Sequence, residues 1–253
     1  MVVARAPSTV RRTAFRVIAS LMAVAGIGFG LFTAVFAFVG EGQEIHAFHN
    51  GVVAALLIVL SGLPALAAAR DPERSTKWLV HLAVVGVAGL VTMILSLTVD
   101  PFTLPVIFLV GVLWALRPSD ERPLPSGRPR PVLLVLALAA AVPLGAYALG
   151  QAELQRIDTS EHADFYHWVE TSFTAGSVLL LGLLVAVRPA AYRVSAWAGG
   201  VTIAVMGAAS LLLQGKASAF DTQWAWAALA GSVAFVGVTE WEARRTERAG
   251  RSA

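Results

Sequence analysis

The basic residues of this chain fall in alternate gaps between eight apolar stretches, and this alternation constrains the architecture more than any motif does. The stretches cover roughly 13–40, 50–69, 78–97, 101–116, 131–150, 167–187, 194–213 and 222–240. Most reach the ~17–25 residues that cross ~30 Å of hydrocarbon at ~1.5 Å per residue, and the fourth is short. Arg5, Arg11, Arg12 and Arg16 stand at the first stretch, and Arg70, Arg74 and Lys77 follow the second. Arg117, Arg122, Arg128 and Arg130 follow the fourth, Arg188 and Arg193 the sixth, and Arg244, Arg245, Arg248 and Arg251 the eighth. The other gaps hold only Arg156 and Lys216. Positive loops stay on the cytoplasmic side of a membrane, which places both termini there. An even number of spans likewise puts both termini on one side.

Of the 253 residues 57% are hydrophobic and only 14% charged, too few charges to coat a soluble domain of this size. The expected fold class is therefore all-α, a polytopic membrane protein of eight transmembrane helices. A pI near 9.8 does not point to nucleic acid, because the basic residues are spread over short loops. Their expected partner is the anionic headgroup on the cytoplasmic side of the bilayer, and a homo-oligomer or a partner subunit is compatible with that. The absence of cysteine excludes disulfides, thiolate metal sites and cysteine nucleophiles. The first apolar run is about twice the length of a secretory h-region and lacks a clean A-x-A site, so it reads as a retained helix. Heavy use of Ala, Val, Leu, Gly and Arg suggests a bacterium with a GC-rich genome, and hence a plasma membrane.

Residues 117–130 carry four prolines, a glycine and six charges, which neither continue a helix nor enter lipid. They divide the chain into a basic N-terminus (1–12), a first four-helix unit (13–116), a linker (117–130), a second four-helix unit (131–240) and a basic tail (241–253). Each unit repeats one order: a long helix, an acidic outer loop with histidines, a helix, a basic turn and two more helices. At an offset of 118, His49 aligns with His167 and Arg70 with Arg188. An even number of spans per unit makes this a tandem parallel repeat about the membrane normal.

Four of the five histidines lie at the two outer junctions that the repeat makes equivalent. His46 and His49 are three apart, as are His167 and Glu170, so on helices each pair shares a face. Imidazole and carboxylate suit zinc, manganese or non-haem iron, and His46, His49, His167 and Glu170 are the candidate ligands of a divalent metal. Glu41, Glu44, His162, Asp164 and Asp221 are candidates for outer-shell partners or an acidic vestibule, with His162 set aside because its five-residue spacing turns it about 140° from His167 on a helix. Haem held by His49 and His167 is a less favoured cofactor, since no second histidine pair lies near the other face. His81, alone near the cytoplasmic end of the third span, reads as a hydrogen-bonded packing residue.

The stretch from His46-Ala-Phe-His-Asn-Gly to Ala67-Ala-Ala-Arg70 resembles small four-helix membrane proteins of high-GC bacteria, whose second helix opens with His-Asn and closes with Ala-Ala-Arg. The resemblance covers residues 46–70, departs from that pattern at Val53 where another histidine is usual, and implies a fold without an activity. No hydrolase, metalloprotease, phosphate-loop or dinucleotide signature occurs. The function classes left are a protein holding metal or haem at its outer face, a small-solute or ion transporter, and an assembly subunit without a site.

Overall fold

The computed structural model describes residues 9–37, 39, 46–118, 129–187 and 193–251. Among them the chain is helical, with no strand. Helix α1 (Thr9–Phe36) leads to a second span in three parts: α2 (Ala47–Ala55), a π-helical stretch (Leu56–Gly62) and α3 (Leu63–Arg70). Then come α4 (Thr76–Ser96), α5 (Thr103–Leu116), α6 (Pro131–Ile157), the short α7 (Glu161–Asp164), α8 (His167–Val187), α9 (Arg193–Leu212) and α10 (Thr222–Arg251). Glu41, Glu44, Arg188 and most of the linker lie outside the described residues.

Among the described residues, six helices are long and apolar enough to cross a membrane: Thr9–Phe36, Ala47–Arg70, Thr76–Ser96, Pro131–Ile157, His167–Val187 and Arg193–Leu212. This is the build of a multi-pass membrane protein. Two of the eight expected spans stand apart. Helix α5 has 14 residues, about 21 Å at the α-helical rise, which falls short of the hydrocarbon thickness. Helix α10 has 30 residues, but Trp, Gly and Ser dilute its apolar part and its remainder is charged. Boundaries shift as well. Helix α1 starts at Thr9, inside the segment read as a basic N-terminus, since arginine is a good helix former. Arg12 there pairs with Glu73 at 2.7 Å. Likewise α10 runs on through the basic tail to Arg251.

The second span, α4, α8 and α9 form the centre, with 61, 56, 61 and 50% of their apolar windows buried, against 28% for α1 and 17% for α6. Leu56, Leu60, Val85, Ala88, Phe173, Leu181 and Ala198 make the shared core of those four spans. Outward on α1 and α6 stand Val17, Leu21, Val24, Val135, Leu138 and Val142, an apolar surface suited to lipid. Helix α1 packs along the second span, α4 on α5, and α5 back on α1. In the second half α6 packs on α8, α9 on α10, and α10 back on α6. At the joint α4 meets α8, and α2 meets α9.

Two local features position the second span. Gly26 and Gly30 of α1 lie against the π-helical stretch, where an added Cβ would come 2.9 Å from the Leu57 carbonyl oxygen and 2.5 Å from Ile58 Cγ1. Only glycine permits that approach. Pro64 lacks an N–H, so the Leu60 carbonyl four residues earlier has no α-helical donor. His81 of α4 supplies one: its Nε2 donates to Leu60 O at 3.0 Å. Because a carbonyl only accepts, Nε2 carries the proton, and Nδ1 accepts from Ser195 Oγ of α9 at 2.9 Å. His81 thus ties three central spans together, as a packing residue should.

Candidate metal centre

The four histidines meet where α2 and α8 begin. His46 is the residue before α2, and His49 lies in its first turn. His162 sits in α7, and His167 opens α8. Helix α7 forms because Ser160 caps it, its Oγ accepting from the His162 N–H at 3.3 Å. Gln155 Nε2 of α6 donates to Ala163 O at 2.9 Å, docking the short helix. Trp168 Nε1 donates to Asp158 Oδ2 at 2.8 Å, clipping the preceding loop to α8. Hydrogen bonds from Ser160 and then Trp168 hold the Asp158 carboxyl below its ordinary 3.8. Tyr166 then takes a left-handed φ of 62°, which breaks the chain between α7 and α8.

That break brings His162 into the cluster, because His162 and His167 do not share a helix and the five-residue spacing no longer sets their angle. His46, His162 and His167 each offer a ring nitrogen, and these atoms lie within 4.8 Å of one another. The Nδ1 atoms of His46 and His167 are 3.1 Å apart. Ring centres stand 4.9 Å apart for His46 and His162, 4.6 Å for His46 and His167, and 5.8 Å for His162 and His167. Around one tetrahedral ion with Zn–N bonds of about 2.0–2.1 Å, ligand nitrogens stand about 3.3 Å apart and ring centres about 5 Å apart. The three imidazoles are therefore spaced close to what a single ion requires, with the His162 side the more open.

Burial, and then the neighbouring His162, push the His46 imidazole below its ordinary 6.5, against the opposing pull of Glu161. A neutral imidazole is the form that ligates. His46 Nε2 faces Glu161 Oε2 at 3.8 Å, ion-pair range rather than a hydrogen bond, leaving Nδ1 on the side of His167.

His49 is fully buried, with its ring centre 4.9 Å from that of His167 in a near-parallel arrangement and 5.0 Å from that of His162. Its Nε2 lies 2.9 Å from Ser218 Oγ. Its Nδ1 is buried without a hydrogen-bond partner among the described residues, a state that costs about 1–3 kcal/mol if nothing occupies it. Neither His49 nor Glu170 is in the group of three, and Glu170 is buried within electrostatic reach of Asp100. Asp100 accepts from the Phe102 and Thr103 N–H groups at 2.9 and 3.0 Å, capping the start of α5. Asp164 and Asp221 are exposed.

Spacing does not reveal Ser218, Gln151 and Tyr147, which hold His49 from the other half of the molecule. Ser218 bonds Gln151, and Tyr147 O–H donates to Ser218 O at 2.7 Å. One signal exists for two of them: Tyr147 and Gln151 are four apart on α6, the spacing of one helix face. Ser218 lies in an irregular loop whose course has no periodic signature. Two imidazoles on opposite sides of a haem iron would have ring centres about 6 Å apart with a porphyrin between them, which the 4.9 Å between the ring centres of His49 and His167 does not match. The arrangement suits a small cation. No protein-family model matches the chain, and no curated protein or solved structure shows significant similarity to it.

Proposed function

We propose that this chain is a multi-pass protein of a bacterial plasma membrane that holds a divalent transition metal between His46, His162 and His167 at its outer face. The observation that carries this reading is the convergence of three ring nitrogens from three separate pieces of chain within 4.8 Å. All three donors are neutral imidazoles, a set that suits zinc or iron better than manganese, which prefers carboxylate oxygen. Glu161 is the candidate outer partner of His46.

The proposed membrane frame has eight spans, with α5 short and α10 completing the second unit, and both termini cytoplasmic. Support for two parallel four-helix units comes from the matched packing order: α1 on the second span as α6 on α8, α4 on α5 as α9 on α10, and α4 with α8 as α2 with α9. The centre then draws His46 from the first unit and His162 and His167 from the second. Anionic headgroups neutralise the cytoplasmic arginines. Metal analysis and a visible spectrum of detergent-purified protein test the reading. About one zinc-class ion per chain and no Soret band is the expected result, and a metal-free or haem-containing protein overturns it.

A second reading, ion transport, is favoured by one observation: Glu170, one helical turn past His167, and Asp100 are two buried carboxylates in a chain poor in buried charge. Proton or cation flux into proteoliposomes, lost in Glu170→Gln, is its test.

A further inference from the structure

The hydrogen bonds around His49 decide where its proton sits. Ser218 Oγ donates its single proton to Gln151 Oε1. Having donated, that oxygen can only accept from His49 Nε2, 2.9 Å away. Nε2 therefore carries the imidazole proton, and Nδ1 presents a bare lone pair. That nitrogen is buried and has no hydrogen-bond partner among the described residues. Ser218 is held for this task in a left-handed conformation, φ 64°, which non-glycine residues rarely adopt. Tyr147 secures it by donating to its carbonyl.

We infer that His49 is the fourth ligand of the centre, through Nδ1, and that Ser218 and Gln151 are positioning residues that fix its tautomer. The inference rests on the three-histidine metal reading above. Its ring centre lies 4.9 and 5.0 Å from those of His167 and His162, while its nitrogens stand outside the group that lies within 4.8 Å, so the ring draws in as the ion binds. The ligand set becomes four neutral imidazoles, two from the start of α2 and two from the α7–α8 region. Such a site is saturated. It has no open position for a water or substrate, so the ion acts as a clamp between the two halves rather than as a Lewis acid. The proton on the far nitrogen, held by an oriented hydroxyl, is the usual outer partner of a metal-bound histidine.

Cobalt(II) added to chelator-stripped, detergent-purified full-length protein tests this by its visible d–d bands, with azide as a probe for an open position. Wild type should give intense tetrahedral bands that azide leaves unchanged. His49→Ala should bind more weakly and become azide-sensitive, since water replaces the imidazole. Ser218→Ala and Gln151→Leu should weaken binding about 10–100-fold, while Gln151→Glu, which keeps an acceptor, should stay near wild type. A measurement independent of variant folding is the ¹⁵N spectrum of histidine-labelled, metal-free wild type, in which His49 should be the Nε2–H tautomer. If wild type binds no cobalt, the three-histidine reading fails and this inference with it. If wild type binds but its bands respond to azide, or His49→Ala leaves affinity and spectrum unchanged, or His49 carries its proton on Nδ1, this inference alone fails.

Discussion

The Nδ1 atoms of His46 and His167 stand 3.1 Å apart although 121 positions separate them in the chain. Without an ion one of them must donate to the other, and with an ion both can turn their lone pairs to it. Their closeness makes His162, the more open member, the residue that completes the group. His162→Ala should weaken zinc binding as strongly as His167→Ala, by more than about 100-fold, because losing a ligand exceeds the 10–100-fold cost of losing an outer partner. Competition with a chromogenic chelator measures it. A His162→Ala protein that binds like wild type would mean that His162 is not a ligand.

The membrane orientation is open to thiol labelling, since the chain has no cysteine of its own. Thr159 is exposed in the loop before α7, and its neighbour Ser160 is engaged in capping, so Thr159→Cys is the less disruptive probe. It should react with an impermeant thiol reagent in intact cells. Ser126→Cys, in the linker outside the described residues, should not. The reverse pattern would invert the charge argument.

Pro64 and His81 should be energetically coupled through the Leu60 carbonyl. His81→Ala leaves that carbonyl and the Ser195 hydroxyl without their buried partner, a loss of about 1–3 kcal/mol. In Pro64→Ala the new N–H can serve Leu60 instead. The double variant should therefore be less destabilised than the sum of the two single changes, by about 0.5–3 kcal/mol. Unfolding in detergent reads the cycle, and strict additivity would show that the proline and the histidine act independently.

The Asp158 clip has a calculable response to acid. Its carboxyl is held below the ordinary aspartate value of 3.8, so the unfolded chain binds the proton first as pH falls. Its contribution is then complete above pH 3.8 and is lost as pH drops through the lowered value. The indole of Trp168, followed by ¹⁹F spectroscopy of fluorotryptophan-labelled protein, should stay bonded at pH 3.8 and be released only in stronger acid. Asp158→Asn should remove that titration. A release centred at or above pH 3.8 would mean the carboxyl is not held.

Apolar length and arginine placement already mark the six helices fit to cross a membrane, because hydrocarbon thickness and headgroup charge act on composition directly. They do less for α5 and α10, whose ends depend on how neighbours cover them. The meeting of two distant histidine junctions follows from the paired order of elements, and His46 and His167 are readable from it. His162 is not, because the chain breaks at Tyr166, and nothing about a tyrosine announces a left-handed turn. Nor is Ser218, which reaches His49 from an irregular loop that periodicity cannot place. Pro64 signals a bend in the second span, yet the π-helical stretch before it depends on the close seat of Gly26 and Gly30 as well.

That stretch, Leu56–Gly62, has a wider winding than an α-helix, and a π-bulge takes up an extra residue. Each residue advances a helix by about 100°. The part of the span that carries His49 is thereby swivelled against the part that carries Ala65 and Ala68. Both parts lie along α1, but beyond it α2 packs on α8 and α9, whereas α3 packs on α4. One continuous rod thus addresses neighbours at two different compass bearings. A uniform α-helix of the same sequence would have to choose between presenting an imidazole to the centre and seating its alanines against α4.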